Sequence, residues 1–175
     1  MKKIILSVLT IFGLTMSTMA TNSVNTAMPP LTIAPDGRAA GMGDIGAATT
    51  ADLNSQHWNP SKYAFMQSKG GVTVNYTPWL VKLDADINLA YIAGYYKIGE
   101  MAGTISSSFT YFDMGEVQMI DYLGVPGPTI EPNEWALDVA YSRKLHEYVS
   151  MAVALRFLYS NLYSGQDDKY PAWTM

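Results

Sequence analysis

Asp52, Ser55 and His57 are the residue types of a hydrolytic triad: a hydroxyl nucleophile, an imidazole base and a carboxylate to orient it. They crowd into six consecutive positions, a spacing that argues against a working relay, and His57 reads instead as a hydrogen-bonding group of a packed segment. Gly41-Met42-Gly43-Asp44-Ile45-Gly46 matches the G-x-G-x-x-G of dinucleotide sites. That motif needs a strand before it and a helix after it, whereas Pro35-Asp36-Gly37-Arg38 precedes it here and the later segments read as β. Close packing of small residues is the better account. Asp84, Asp86 and Asn88 imitate the start of a calcium loop, but Leu89 stands where glycine is required and Tyr95 where glutamate is required. Asp167-Asp168 reads as an exposed acidic pair, and His146 as a surface residue of a tight turn. No catalytic residue, metal ligand or cofactor site is expected.

The elements that would carry these residues are strands. Over residues 147–163, Val149, Met151, Val153, Leu155, Phe157 and Tyr159 alternate with Ser150, Ala152, Ala154, Arg156, Leu158 and Ser160. Successive side chains of a strand point to opposite faces, so one face is apolar and the other mostly small or polar. About ten such residues ending on an aromatic is the length of a tilted bilayer-crossing strand. The same alternation marks 71–79, 87–96, 101–112 and 135–143. On the second of these, Ile87, Leu89, Tyr91 and Tyr95 share a face. Asp138 and Arg156, on inward faces of neighbouring strands, are expected to pair across the lumen.

The connections alternate in length. Those at 97–100 and 145–148 are tight, and those at 80–86 and 113–134 are longer, as in bacterial barrels with short periplasmic turns and long external loops. With a periplasmic start, Trp79, Tyr111, Trp135 and Tyr159 fall at the outer interface and Tyr95 and Tyr148 near the inner one. A periplasmic β-sandwich also alternates, but explains the aromatic strand ends and in-phase loops less well. The expected fold is all-β: a transmembrane antiparallel β-barrel with an amino-terminal plug. Five strands do not close a barrel, which uses an even number from eight upward. The chain therefore reads as a truncated amino-terminal part, with 161–175 an external loop stopped in mid-course.

Lys2 and Lys3, an apolar run from 4 to 16 and small residues up to Ala20 make 1–20 an export signal. Residues 21–35, with Pro29-Pro30, read as a flexible tail; 36–66 as a Gly/Ala/Asn-rich luminal plug with at most one short helix; and 67–175 as the first barrel strands. The formal charge of −4 falls by two more when the leader is removed, which argues against a nucleic-acid partner. There is no cysteine, so disulfides contribute nothing.

Residues 36–48, Asp-Gly-Arg-Ala-Ala-Gly-Met-Gly-Asp-Ile-Gly-Ala-Ala, followed by Asn54-Ser55-Gln56-His57-Trp58-Asn59-Pro60-Ser61-Lys62-Tyr63-Ala64, are distinctive. They resemble the start of the PorV family, an outer-membrane component of the type IX secretion system of Bacteroidetes, itself similar to FadL-type barrels. Tyr76-Thr77-Pro78-Trp79-Leu80 and residues 89–96 extend the resemblance from Ala34 onward. The resemblance implies a fourteen-stranded barrel of which this chain supplies roughly the first third. Gly41, Gly43, Gly46, Trp58, Asn59 and Pro60 would then form the plug motif.

The same resemblance implies a non-enzymatic role: binding secreted proteins through a C-terminal sorting domain and passing them from the translocon to the attachment machinery at the cell surface. Outer-membrane lipid would surround the barrel. Tyr122, Leu123, Val125 and Ile130, apolar residues of the long 113–134 loop, are the candidate partner-binding group; packing over the barrel mouth is the alternative. FadL-type passage of a hydrophobic small molecule, or removal of an acyl chain from lipopolysaccharide, are the other activities it implies.

Overall fold

Each of the five alternating stretches becomes a strand, because β-branched and aromatic side chains fill a pleated surface well. The chain order is β1 (Gly70–Trp79), β2 (Ile87–Gly99), β3 (Gly103–Asp113), β4 (Val117–Ile120), β5 (Pro126–Ile130), β6 (Asn133–His146), β7 (Val149–Asn161) and β8 (Ala172–Thr174). This is a computed structural model, and it describes residues 28–79, 86–99, 103–121, 123–162 and 172–174. The export signal expected at 1–20 lies outside the described residues. No helix among them is long and apolar enough to cross a membrane, which says nothing about strands.

Six strands form one antiparallel sheet in the order β1-β2-β3-β6-β7-β8, and β4 and β5 pair separately as a hairpin. Two expectations are corrected here. The 113–134 stretch is not a plain loop, because its ends fold back as β4 and β5. The stretch from 161 does not remain a loop either, since Ala172–Thr174 pairs with Leu158–Ser160 of β7. Pro78, which has no N–H to donate, sits in β1, an edge strand among the described residues. The five longer strands of the sheet have 10 to 14 residues, enough to cross a tilted hydrocarbon layer.

Register sorts the two faces. One face is apolar and exposed: Val72 and Val74 of β1, Ile92 of β2, Phe109 of β3, Val139 of β6, and Val153 and Leu155 of β7. At its loop end, Tyr76, Ala90, Tyr111, Trp135 and Tyr159 pair in succession across five strands, a continuous cross-strand row. Trp135 and Tyr159 stack with centroids 5.4 Å apart, which fits the aromatic belt expected there. Trp79 does not belong to that row. Its position has the parity of the other face, where its ring meets the buried Phe112 edge-on at 6.4 Å. Tyr95 is corrected likewise: it is buried on the inner face, and Tyr96 beside it is the exposed tyrosine.

The inner face is small and polar on β3 and β6, with Thr104, Ser106, Ser108, Thr110, Ala136, Asp138 and Ala140 all buried. β2 contributes Leu89, Tyr91 and Tyr95 to the same face. Against it packs the segment before β1, more regular than expected. It contains a 3-10 turn (Pro29–Thr32), helix α1 (Gly37–Gly41), helix α2 (Ser55–Trp58) and a 3-10 segment (Pro60–Phe65). The flexible tail expected over 21–35 is packed from Met28 onward, since Met28, Pro30 and Ala34 are buried. Asp138 and Arg156 pair as expected, but directly across adjacent β6 and β7. The guanidinium is bidentate, with Nε 2.5 Å from Oδ1 and Nη2 2.9 Å from Oδ2.

Candidate functional site

Short-range chemistry builds the plug. Asp36 caps α1, its buried Oδ1 accepting the Ala39 N–H at 2.8 Å. Gly43 (φ 82°) and Asp44 (φ 58°) then turn the chain into the 46–49 loop. Asn59 is extended at φ −160°, as a residue before proline tends to be, and Pro60 opens the 3-10 segment where its missing N–H costs nothing. The Asn59 Oδ1 accepts from Ser61 N–H at 3.2 Å, while its Nδ2 donates to the Ala47 carbonyl at 3.3 Å.

Three side chains clasp the 46–49 loop. A Cβ on Gly46 would fall 2.2 Å from the Trp58 ring, so only glycine lets that indole close over the backbone. Asn59 holds Ala47. The buried Lys62 donates through Nζ to the Gly46 carbonyl at 2.8 Å and to Thr49 Oγ1 at 3.1 Å. Burial holds the Lys62 amine below its ordinary pKa, partly offset by Asp52 and deepened by Arg38. Of the motif residues, Gly46, Trp58, Asn59 and Pro60 thus come together. Gly41 and Gly43 do not: a Cβ on either meets open space. Gly43 answers to its positive φ and Gly41 to neither constraint, so close packing accounts for one glycine of the three. No strand precedes the glycines among the described residues, as a dinucleotide site would need.

The triad residue types stand apart in chemistry. Ser55 Oγ donates to Asp52 Oδ1 and accepts the Asp52 N–H, both at 3.0 Å, a local turn that starts α2. The His57 ring instead meets Trp58 edge-on at 4.7 Å and Tyr91 of β2 edge-on at 6.1 Å. Burial first, and then the Arg156 charge, lower its pKa to about 4, against a partial opposite pull from Asp138 and Asp36. His57 is therefore an aromatic wedge between plug and sheet rather than the hydrogen-bonding group expected.

The seam between plug and sheet continues at Tyr63. Its ring stacks on Tyr95, and its hydroxyl donates to the Leu53 carbonyl at 2.8 Å while accepting the Gln56 N–H at 3.1 Å. Burial raises its pKa further above the usual tyrosine value. Asn75 Nδ2 reaches Asn54 Oδ1 at 2.7 Å, and Ser150 Oγ reaches the Ser61 carbonyl at 2.9 Å. These partners lie on β1, β2 and β7, so the plug is tied across most of the sheet.

The second candidate group lies on the β4–β5 hairpin. Asp121 accepts the Gly124 N–H at 2.8 Å and donates its own to Val125 at 3.0 Å, with Gly124 at φ 75°. The closure exposes Leu123 (70%) and Val125 (56%), joined by Ile120 at 70%. Ile130 is buried at 8% and stands apart from that exposed group, and Tyr122 lies outside the described residues. The sequence reading missed β4. Its signal was the apolar run Val117, Met119 and Ile120 ahead of an Asp-x-x-Gly turn. Among the described residues no cluster of His, Cys, Asp or Glu is placed to hold a metal ion.

Residues 16–172 match a family model described as type IX secretion system protein PorV. The chain belongs to the PorV family. No curated protein matches it. Membership makes this chain a type IX secretion component, and the PorV family is an outer-membrane one. An antiparallel sheet with one apolar face exposed is compatible with that location. In this PorV-family chain the sequence that carried the resemblance is largely the plug and its clasp.

Proposed function

We propose that this chain serves type IX secretion by recognition rather than catalysis. It binds secreted proteins through their C-terminal sorting domains and hands them from the translocon to the attachment machinery. The observation that carries this reading is the β4–β5 hairpin, which presents Ile120, Leu123 and Val125 to solvent at the loop end of the sheet. Apolar groups clustered on a water-facing hairpin favour a protein partner that removes them from water. The arrangement of Asp52, Ser55 and His57 supports the non-enzymatic reading: the serine is held by the aspartate, and the histidine is packed between rings.

The experiment is affinity purification of the full-length protein from its own outer membrane in gentle detergent, with Leu123→Asp/Val125→Asp beside it. Wild type should retain large secreted proteins, and the variant about tenfold less, at equal protein level. Equal recovery by the two would remove the hairpin from recognition.

A cleft of about 480 Å³ beside the clasp, lined by Ile45, Ala47, Ala48 and Trp58, supports a second reading, passage of a hydrophobic small molecule. The Trp58 Nε1 is buried without a hydrogen-bond partner, a donor such a ligand could engage. Recovery of the protein with bound fatty acyl lipid and no secreted protein would favour it.

A further inference from the structure

The charges of the described sheet segregate by end. Asp86, Asp113, Glu116, Glu131 and Glu134 stand at the loop end, whereas Lys69, Lys97, Arg143, Lys144 and His146 gather at the turn end. Glu147 is the carboxylate of the described turn there, and Glu100 of the other turn lies outside the described residues.

Two of these cations face inward. Lys97 and Lys144 share the parity of the buried Tyr95 and Ser142, and both line a cleft of about 650 Å³ under the end of the plug. Lys97 Nζ donates to the Met66 carbonyl, and Lys144 Nζ lies 5.6 Å above the Phe65 ring. Among the described residues neither ammonium meets a carboxylate, and the ion pairs are Arg38–Asp52 and Arg156–Asp138. Both strands break register at these positions, between Lys97 and Gly99 on β2 and between Lys144 and His146 on β6. Such bulges re-aim side chains and recur beside functional sites. Ser142, in the same cross-strand row as Lys97 and Thr104, is buried and its Oγ has no partner.

We infer that this cleft binds an acidic polypeptide segment arriving at the turn end, its carboxylates taken by Lys97 and Lys144. Two unpaired ammonium groups inside a concave wall supply the electrostatic complement. Phe65 and Leu145 beside them give apolar contact that a bare inorganic anion would not use. Lipid head groups fit less well, because the lining is drawn from the end of the plug and from inward positions such as Lys97, Thr104 and Lys144 rather than from the apolar face. The site lies at the opposite end from the hairpin and stands independently of the cargo reading.

Fluorescein-labelled hexaglutamate, titrated against the full chain in neutral detergent and followed by anisotropy, tests it. Lys97→Gln/Lys144→Gln should weaken binding about tenfold, and the outward-facing control Lys69→Gln/Arg143→Gln less than about twofold. Lys97→Arg/Lys144→Arg keeps both charges and should bind like wild type, which separates lost charge from misfolding. Leu123→Asp/Val125→Asp should leave this binding unchanged. No binding by wild type, equal loss in the inward and outward pairs, or displacement by inorganic phosphate as effective as by unlabelled hexaglutamate would each overturn the inference.

Discussion

The rings of Tyr63 and Tyr95 lie stacked, centroids 4.8 Å apart and planes 19° from parallel. One belongs to the last turn of the plug and the other to the inner face of β2. The contact therefore joins two layers of the molecule, not neighbours in the chain. Around it Ser68 Oγ meets the Tyr95 hydroxyl, and the Tyr63 hydroxyl is bonded on both sides.

Tyr95 and Tyr96 are consecutive, yet they face opposite sides of the sheet. Tyr95→Ala should cost about 3–5 kcal/mol, the range for emptying a buried aromatic site, and should loosen the plug. Tyr96→Ala, on the exposed face, should stay within about 1 kcal/mol. Limited proteolysis of the plug and denaturant midpoints of both variants check the contrast; similar losses would mean the faces are misassigned.

Gly46 and Gly41 offer a second paired test. A methyl group on Gly46 collides with Trp58, so Gly46→Ala should cost about 1–3 kcal/mol through the displaced indole. Gly41→Ala meets open space at the end of α1 and should be neutral or slightly stabilising. Trp58 fluorescence should shift in the first variant alone.

Asp138 is buried and Arg156 about one-third exposed, so their pair is only partly screened. Arg156→Met strands the carboxylate and should cost about 1–3 kcal/mol, below the range for a fully buried pair. Adding Asp138→Leu should recover part of that loss. Strictly additive losses in the double variant would show that the two side chains are not coupled.

His57 makes the plug seam sensitive to acid. The unfolded side chain takes its proton near pH 6.5, and the folded one only near pH 4. Between those values the unfolded state binds more protons, so stability is full above pH 6.5 and falls as pH drops through the window. The loss amounts to about 3 kcal/mol by pH 4. Following plug protection from protease between pH 7.5 and 4 checks this. His57→Phe keeps a ring in place and should flatten that dependence.

Alternation alone located five strands of the sheet, because the period of two is local and most outward residues, such as Val153 and Leu155, are apolar whatever lies beside them. The lengths between alternating stretches likewise separated short connections from long ones. A charge pair on inward positions, Asp138 and Arg156, followed from the same parity. Tertiary structure decided what alternation leaves symmetric. On β2 both faces carry large apolar residues, so only packing against Tyr63 and His57 tells that Tyr91 and Tyr95 point inward and Ile92 and Tyr96 outward. Trp79 differs: three positions beyond Tyr76 in the same strand, it falls on the inner face by alternation alone. The clasp of Gly46 by Trp58 and Lys62, and the meeting of Lys97 and Lys144 in one cleft, join residues 12 to 47 positions apart in the chain. No local period encodes such contacts; they exist only once register and plug packing bring distant segments together.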